Sequence, residues 1–184
     1  MVKGTVFLFY MKGYYMKQFL EIGKIVAVQG LKGEVRVEPW CDSQEFLCEF
    51  DTLYFDKGAT AVEVQRSHPH KNIVLMKIKG VDTVEQAQLL RNKILYMDRN
   101  DVELEEGSFF VQDLIGLQVF DADDGRDYGK ICEVSQTGAN DVYHIKDADG
   151  KIRLIPAIPD VVIETNITEG KMIIRKLEGL FDED

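Results

Sequence analysis

Asp113-Leu114-Ile115-Gly116 and Gly138-Ala139-Asn140-Asp141 are the two stretches on which the reading of this chain turns. Each sets an apolar edge against a turn built from Gly, Asn or Asp, residues that accept left-handed backbone or bond to the backbone nearby. Neither contains a nucleophile, a cluster of metal ligands or a phosphate loop. Together they read as the framework of a small β-barrel that binds a partner, with the aromatic pair Phe109-Phe110 beside the first of them.

The sequence around these motifs supports that framework. Leu117 to Phe120, Tyr128 to Gln136, Val142 to Lys146 and Lys151 to Ile155 have strand character. Asp121-Ala122-Asp123-Asp124-Gly125 and Asp147-Ala148-Asp149-Gly150 supply turn chemistry between them, each with an Asp-Gly step. Val161 to Ile167 and Lys171 to Arg175 complete this barrel. Leu177-Glu178-Gly179-Leu180 reads as an apolar clip folding back before the acidic tail, residues 182–184.

The first half has the same character. Phe19 to Val28 and Glu34 to Glu38 are strands joined by Gln29-Gly30-Leu31-Lys32-Gly33, whose two glycines take φ > 0 at little steric cost. Glu34-Val35-Arg36-Val37-Glu38 alternates polar and apolar residues with period two, as a half-buried strand does. Asp42 and Glu45 have capping-box spacing and put Phe46, Leu47 and Phe50 on one helical face. Strands follow at Thr52 to Phe55, Ala61 to Ser67 and Ile73 to Ile78, with His68-Pro69-His70 read as a polar turn. Thr83 and Gln86 cap a second helix, Thr83 to Leu90, striped by Val84, Ala87 and Leu90. Ile94 to Met97 closes the set. Six strands with two short helical plugs predict a compact barrel.

The fold expected is therefore all-β: two small barrels over 18–97 and 108–181, an acidic linker over 98–107 and an extension over 1–17. In that extension Lys3 and the apolar residues 6–11 faintly imitate a secretion signal. Lys12 and Gly13 interrupt it and no small-residue cleavage site follows. A disordered extension, or a true start at Met16, fits better, and the protein is expected in the cytoplasm. No apolar run approaches the roughly 18 residues of a membrane span. Cys41, Cys48 and Cys132 are odd in number and lack C-x-x-C spacing, so neither a disulfide scaffold nor a zinc site is expected. His68 and His70 with Cys41 lack the ligand spacing that would fix a metal.

Charge is informative once divided. Residues 1–104 contain 14 Lys+Arg and 14 Asp+Glu, whereas 105–184 contain 8 and 18, so the whole net charge of −10 sits in the second half. Affinity for nucleic acid comes largely from neutralising phosphates. The second half is thus a poor nucleic-acid surface and a plausible dock for a basic protein.

Several of these strings carry a resemblance. Ile22-Gly23-Lys24-Ile25, then Gly30-Leu31-Lys32-Gly33-Glu34-Val35-Arg36-Val37, open it. Asp113-Leu114-Ile115-Gly116-Leu117, Gly125, Gly138-Ala139-Asn140-Asp141-Val142, Leu154-Ile155-Pro156 and Glu178-Gly179-Leu180 continue it in order. In this the chain resembles the bacterial ribosome maturation factor family RimM from about Phe19 to Leu180. The resemblance implies a translation-factor-like N-terminal barrel and a C-terminal PRC barrel. It also implies a monomer without cofactor or metal that binds the immature small ribosomal subunit in its head, through a basic head ribosomal protein and adjacent rRNA. The resemblance implies no enzymatic activity, since the family is not known as one of enzymes. Two positions depart from its pattern: Gln29 stands where many members have His, and Phe109-Phe110 where a Tyr-Tyr pair is frequent.

From these readings Phe109, Phe110, Asn140 and Asp141 are the expected ribosomal-protein contacts. Consecutive residues of a strand face opposite ways, so one ring is expected in the core and the other at the contact. Asn140 and Asp141 are expected to shape a tight turn, with any contact secondary. Lys32 and Arg36 are the rRNA-facing candidates, because a Gly-flanked loop can approach a phosphate backbone. Two other function classes stand against this reading. A PRC-type adaptor with a non-ribosomal partner would lack the first barrel. A metal-dependent ribonuclease would need Asp113 and Asp141 paired near Asp124 or Asp127, and no Ser/His/Asp or Cys/His set is suggested by the three histidines.

Overall fold

A computed structural model describes residues 16–177 as two units, each with its own sheet. The residues 1–15 of the extension, the clip beyond Leu177 and the acidic tail lie outside the described residues.

In the unit Lys17–Glu105 the strands are β1 (Phe19–Gln29), β2 (Glu34–Pro39), β3 (Thr52–Phe55), β4 (Thr60–His70), β5 (Ile73–Ile78) and β6 (Ile94–Asp98). They form a closed barrel in the order β1-β2-β5-β4-β3-β6, with every neighbour antiparallel. Closure removes both sheet edges, where unpaired backbone groups would otherwise invite association. It depends on β1, which pairs with β2 on one side and β6 on the other. The register shifts once along each side, between Ile25 and Ala27 and between Glu21 and Gly23. Such bulges bend and twist a strand enough to serve two partners. The alternation on β2 is realised: Val35 and Val37 are fully buried, Arg36 exposed between them. Leu20, Ile22, Ile25, Leu53, Met76 and Leu95 join them in the core, each stabilising by about 1.5–3 kcal/mol through burial.

Two short helices plug this barrel. In α1 (Gln44–Leu47) the N-cap is Ser43, whose hydroxyl accepts from the Phe46 N–H at 3.0 Å. That corrects the expected Asp42 cap by one residue, and Leu47 is buried while Phe46 and Phe50 meet edge to face. In α2 (Val84–Leu89) the capping box of Thr83 and Gln86 is present as read, and Ala87 is buried. His68-Pro69-His70 is not a turn. These residues continue β4, with Pro69 opposite Val74. Strand β3 pairs with β4 only as far as Glu63, so Pro69 lies where a missing N–H breaks no ladder on that side.

In the second unit α3 (Val111–Leu114) precedes β7 (Gln118–Asp121), β8 (Asp127–Ser135), β9 (Val142–Lys146), β10 (Ile152–Pro156), β11 (Val162–Asn166) and β12 (Lys171–Ile174). The sheet order is β10-β9-β8-β7-β12-β11. Strand β12 pairs with β7 in parallel, the one parallel pairing among the described strands. Val119 of β7, Ile131 of β8, Ile145 of β9, Ile155 of β10 and Met172 and Ile174 of β12 belong to a single buried cluster, against which Val162 of β11 packs. A sheet whose distant strands share one core must curl over it, which is barrel architecture although no ladder joins β10 to β11 among the described residues.

Candidate functional site

The loop between β1 and β2 shows how the first unit presents its basic candidates. Gly30 and Gly33 both have positive φ, 62° and 74°, and turn the chain within four residues. At Gly33 a Cβ would lie 2.3 Å from the Val81 carbonyl oxygen, so only glycine fits. The Lys77 ammonium fastens the loop by donating to the Lys32 carbonyl at 3.0 Å, to Val81 O and to Asp82 Oδ1 at 2.8 Å. The Lys32 side chain is exposed and meets no partner among the described residues. Arg36 is exposed too, but its Nε donates to Gln29 Oε1 at 2.8 Å. Gln29, the departure from the usual His, therefore supplies a pH-independent acceptor that steadies Arg36. Leu31, at the tip, is 86% exposed.

In the second unit, Phe109 and Phe110 lie in an irregular segment before α3 and not on a strand. Extended backbone still turns successive side chains apart. Phe109 packs against the core cluster, while Phe110, the N-cap residue of α3, is half-buried and outside that cluster. Both rings are half-buried, so the division into one core ring and one contact ring is not drawn by burial.

The motif Asp113-Leu114-Ile115-Gly116 is the end of α3 and the turn after it. Asp113 and Leu114 are buried, and Gly116 takes φ 94° and donates its N–H to Ile131 O at 2.7 Å. The α3 helix itself was not legible, because four residues are too few for a helical period.

Gly138-Ala139-Asn140-Asp141 forms the exposed loop between β8 and β9. Neither Asn140 nor Asp141 takes positive φ. The Thr137 hydroxyl closes the loop instead, donating to Asn140 O and accepting from Asn140 N–H. Asn140 is exposed, whereas Asp141 is half-buried and its carbonyl accepts from Ala157 N–H at 2.8 Å. Asn140 is left presenting its side chain to solvent, and Asp141 helps anchor the chain after β10.

The carboxylates weighed for metal catalysis are spread over different surroundings. Asp113 is buried at α3, while Asp124 and Asp127 lie exposed around the β7–β8 turn. Among the described residues no group of three or more His, Cys, Asp or Glu is arranged to hold a metal ion. Asp121 is a carboxylate with an evident structural role. It is buried, and its Oδ2 accepts from the Tyr128 hydroxyl at 2.6 Å while Oδ1 accepts from the Asp123 and Asp124 N–H groups. The Tyr128 bond holds the Asp121 carboxyl below its ordinary pKa. Burial first, and then Asp121, push the Tyr128 phenol up to about 12.

Two groupings escaped the sequence. Ser135 Oγ lies 2.6 Å from His144 Nε2 across β8 and β9, with Glu133 Oε2 3.7 Å from Nδ1. A serine, a histidine and an acid do come together, contrary to the sequence reading. Glu133 is beyond hydrogen-bonding distance, however, and the three sit on a sheet surface rather than in a cleft. The second grouping is a cleft of about 670 Å³ lined by Arg126, Lys130, Lys146 and Arg153. Averaging charge over the whole second half had hidden it.

Against known proteins, residues 20–102 match the RimM N-terminal domain and residues 111–180 the RimM PRC barrel domain. The chain is similar to the ribosome maturation factor RimM of Clostridioides difficile, 43% identical over 164 residues, 88% of this chain and 95% of that one. It is 40% identical over 170 residues to the factor of the same name from Caldicellulosiruptor bescii, covering 91% of this chain and 100% of the relative. A crystal structure of a 16S ribosomal RNA processing protein RimM from Pseudomonas aeruginosa is 28% identical. It covers 87% of this chain and 98% of its own, with a TM-score of 0.44.

Proposed function

The chain belongs to the RimM family of ribosome maturation factors, and from that premise we propose that it binds the immature small ribosomal subunit at its head. The second domain captures a basic head ribosomal protein, and the first bears on adjacent rRNA through Lys32 and Arg36. Acting on both lowers the chance of misassembled head intermediates, with no covalent chemistry and no cofactor. The protein works as a monomer in the cytoplasm, where subunits are assembled. The observation that carries this reading is the division of charge, zero over residues 1–104 and −10 over 105–184. An acidic surface steers and orients a basic protein partner.

Within that dock Phe110 is the aromatic anchor and Phe109 supports it from the core, since buried aromatics dominate interface energetics. Asn140 contributes a polar contact at the rim, and Asp141 shapes the loop that carries it.

Co-sedimentation of the purified protein with free small subunits, large subunits and mature ribosomes, at two salt concentrations, tests the proposal. Selective binding to free small subunits is expected, and a shallow salt dependence would put most of the affinity in the protein dock. Absence of binding to all three would overturn it and favour an adaptor with a non-ribosomal partner.

A further inference from the structure

The acidity of the second domain is not uniform. Residues 105–184 hold 8 Lys+Arg and 18 Asp+Glu. Four of those eight cations (Arg126, Lys130, Lys146 and Arg153) line one cleft of about 670 Å³, beside only three of the acids, Asp127, Asp147 and Asp149. The cations are gathered where the domain is otherwise short of them.

Their arrangement is not self-neutralising. Lys130 and Lys146 stand directly opposite one another on β8 and β9. Like charges in that relation repel and destabilise a ladder. Neither ammonium meets a carboxylate among the described residues, and both side chains are exposed. Two of the three acids are already committed. Asp147 accepts from Arg153 Nη1 at 2.7 Å and from the N–H groups of Asp149 and Lys151 at 3.0 and 2.9 Å. Asp127 accepts from Gln118 Nε2 at 2.5 Å and Gly129 N–H at 2.8 Å. Those donors to Asp127 are neutral and leave its charge in place, so beyond the Arg153–Asp147 pair three cations (Arg126, Lys130 and Lys146) stand with two carboxylates (Asp127 and Asp149), a surplus of one positive charge. Gly129, with φ 108°, lies so close to β9 that a Cβ would sit 2.2 Å from Lys146 O. No side chain can fill the cleft between Tyr128 and Lys130.

We propose that this cleft receives phosphates of an RNA backbone, giving the acidic domain its own nucleic-acid contact. The two lysine ammoniums, which meet no carboxylate among the described residues, suit phosphate oxygens, which accept charge-assisted hydrogen bonds. The acidic surface around the cleft repels the backbone elsewhere, so the contact sets register without reading sequence. A bound phosphate also relieves the Lys130–Lys146 repulsion, which would otherwise be a pure cost. The inference rests on the ribosomal reading only in choosing RNA as the source of the phosphate.

The test compares the wild-type chain with K130Q/K146Q for binding to an RNA duplex of about 20 base pairs, across salt concentrations. Inorganic phosphate is titrated in parallel, and thermal midpoints are recorded. The double variant is expected to lose at least ten-fold in affinity at low salt. Its log–log salt slope should flatten by about two, one for each lysine. Its midpoint should be unchanged or raised, because a repulsion has been removed. The single variant K146Q should flatten the slope by about one, which keeps the test decisive if the double variant folds poorly. An unchanged slope and affinity would overturn the proposal, as would saturation by inorganic phosphate without duplex binding, which would make this a small-anion site. Subunit co-sedimentation separates the two readings. Wild-type failure to bind subunits sinks the ribosomal one, whereas retained subunit binding with unaltered RNA affinity sinks the cleft alone.

Discussion

Tyr128→Phe removes a single oxygen from the core of the second domain, and its consequences can be worked through. The phenol is 3% exposed and donates to Asp121 Oδ2 at 2.6 Å, and that carboxylate is itself 6% exposed. The ring remains in place after substitution, so packing is retained and the loss is that of a hydrogen bond to a buried charged group, about 1.5–3 kcal/mol. The second domain should therefore unfold more readily, and the first should not. Native-state amide hydrogen exchange separates them. The Ile131 N–H, bonded to Leu117 O at 3.1 Å, should lose protection by about ten- to hundred-fold. The Ile25 N–H, bonded to Lys93 O at 3.0 Å in the other unit, should be unaffected. The pH dependence gives a second check. The folded phenol keeps its proton to about pH 12, whereas an unfolded tyrosine ionises near 10. A raised pKa contributes stability in full below the unfolded value, and that stability is lost as pH climbs from 10 to 12. Two pH units correspond to about 2–3 kcal/mol, to which burial of the phenol contributes first and the bond to Asp121 second. The substitution penalty should accordingly shrink between pH 10 and 12. On the acid side the sign reverses. Asp121 is held below its ordinary pKa, so its contribution is present above the unfolded carboxylate value and fades as pH falls through the folded one. A penalty below about 0.5 kcal/mol at pH 7, or one that persists unchanged at pH 12, would refute the account.

Phe110→Ala should weaken small-subunit binding by about 2 kcal/mol or more with the thermal midpoint preserved, whereas Phe109→Ala should lower the midpoint first because that ring packs on the core. Equal effects of both on stability, with none on binding, would remove the pair from the dock. Gly33→Ala should destabilise the first domain by well over the roughly 1 kcal/mol expected at Gly30, since Gly30 has open space for a Cβ and Gly33 has a carbonyl 2.3 Å away. Urea titration followed through Trp40, the chain's one tryptophan, reads both. Ser43→Ala should cost about 1 kcal/mol and Asp42→Ala close to nothing, and the reverse ranking would restore the cap to Asp42.

Elements set by local chemistry were legible in the chain. Thr83 and Gln86 announce α2 because both halves of the capping box lie within one turn of backbone. The period-two pattern of residues 34–38 announces β2 because a strand's faces alternate whatever it pairs with. The Gly30–Gly33 turn was visible because positive φ is a property of single residues. Where two neighbours offered equivalent chemistry the local signal failed. Asp42 and Ser43 are both good caps, and only the course of the chain into α1 selects the serine. His68-Pro69-His70 has turn composition yet is strand, because β5 supplies partners that composition does not reveal.

The succession of strand segments along the chain, the two barrel-like cores, the acidic second half and the family to which the chain belongs were all fixed by linear pattern, since each depends on periodicity, on summed charge or on short strings in order. What the tertiary structure alone decided are juxtapositions between residues distant in sequence. Lys130 faces Lys146, Ser135 meets His144, Tyr128 satisfies Asp121, and β12 pairs in parallel with β7. A count of charges over eighty residues has no register, and so reports an acidic domain where a cationic cleft exists. The physical reason is that cross-strand pairing is set by the ladder, and the ladder is chosen by the whole core closing at once rather than by any segment of it.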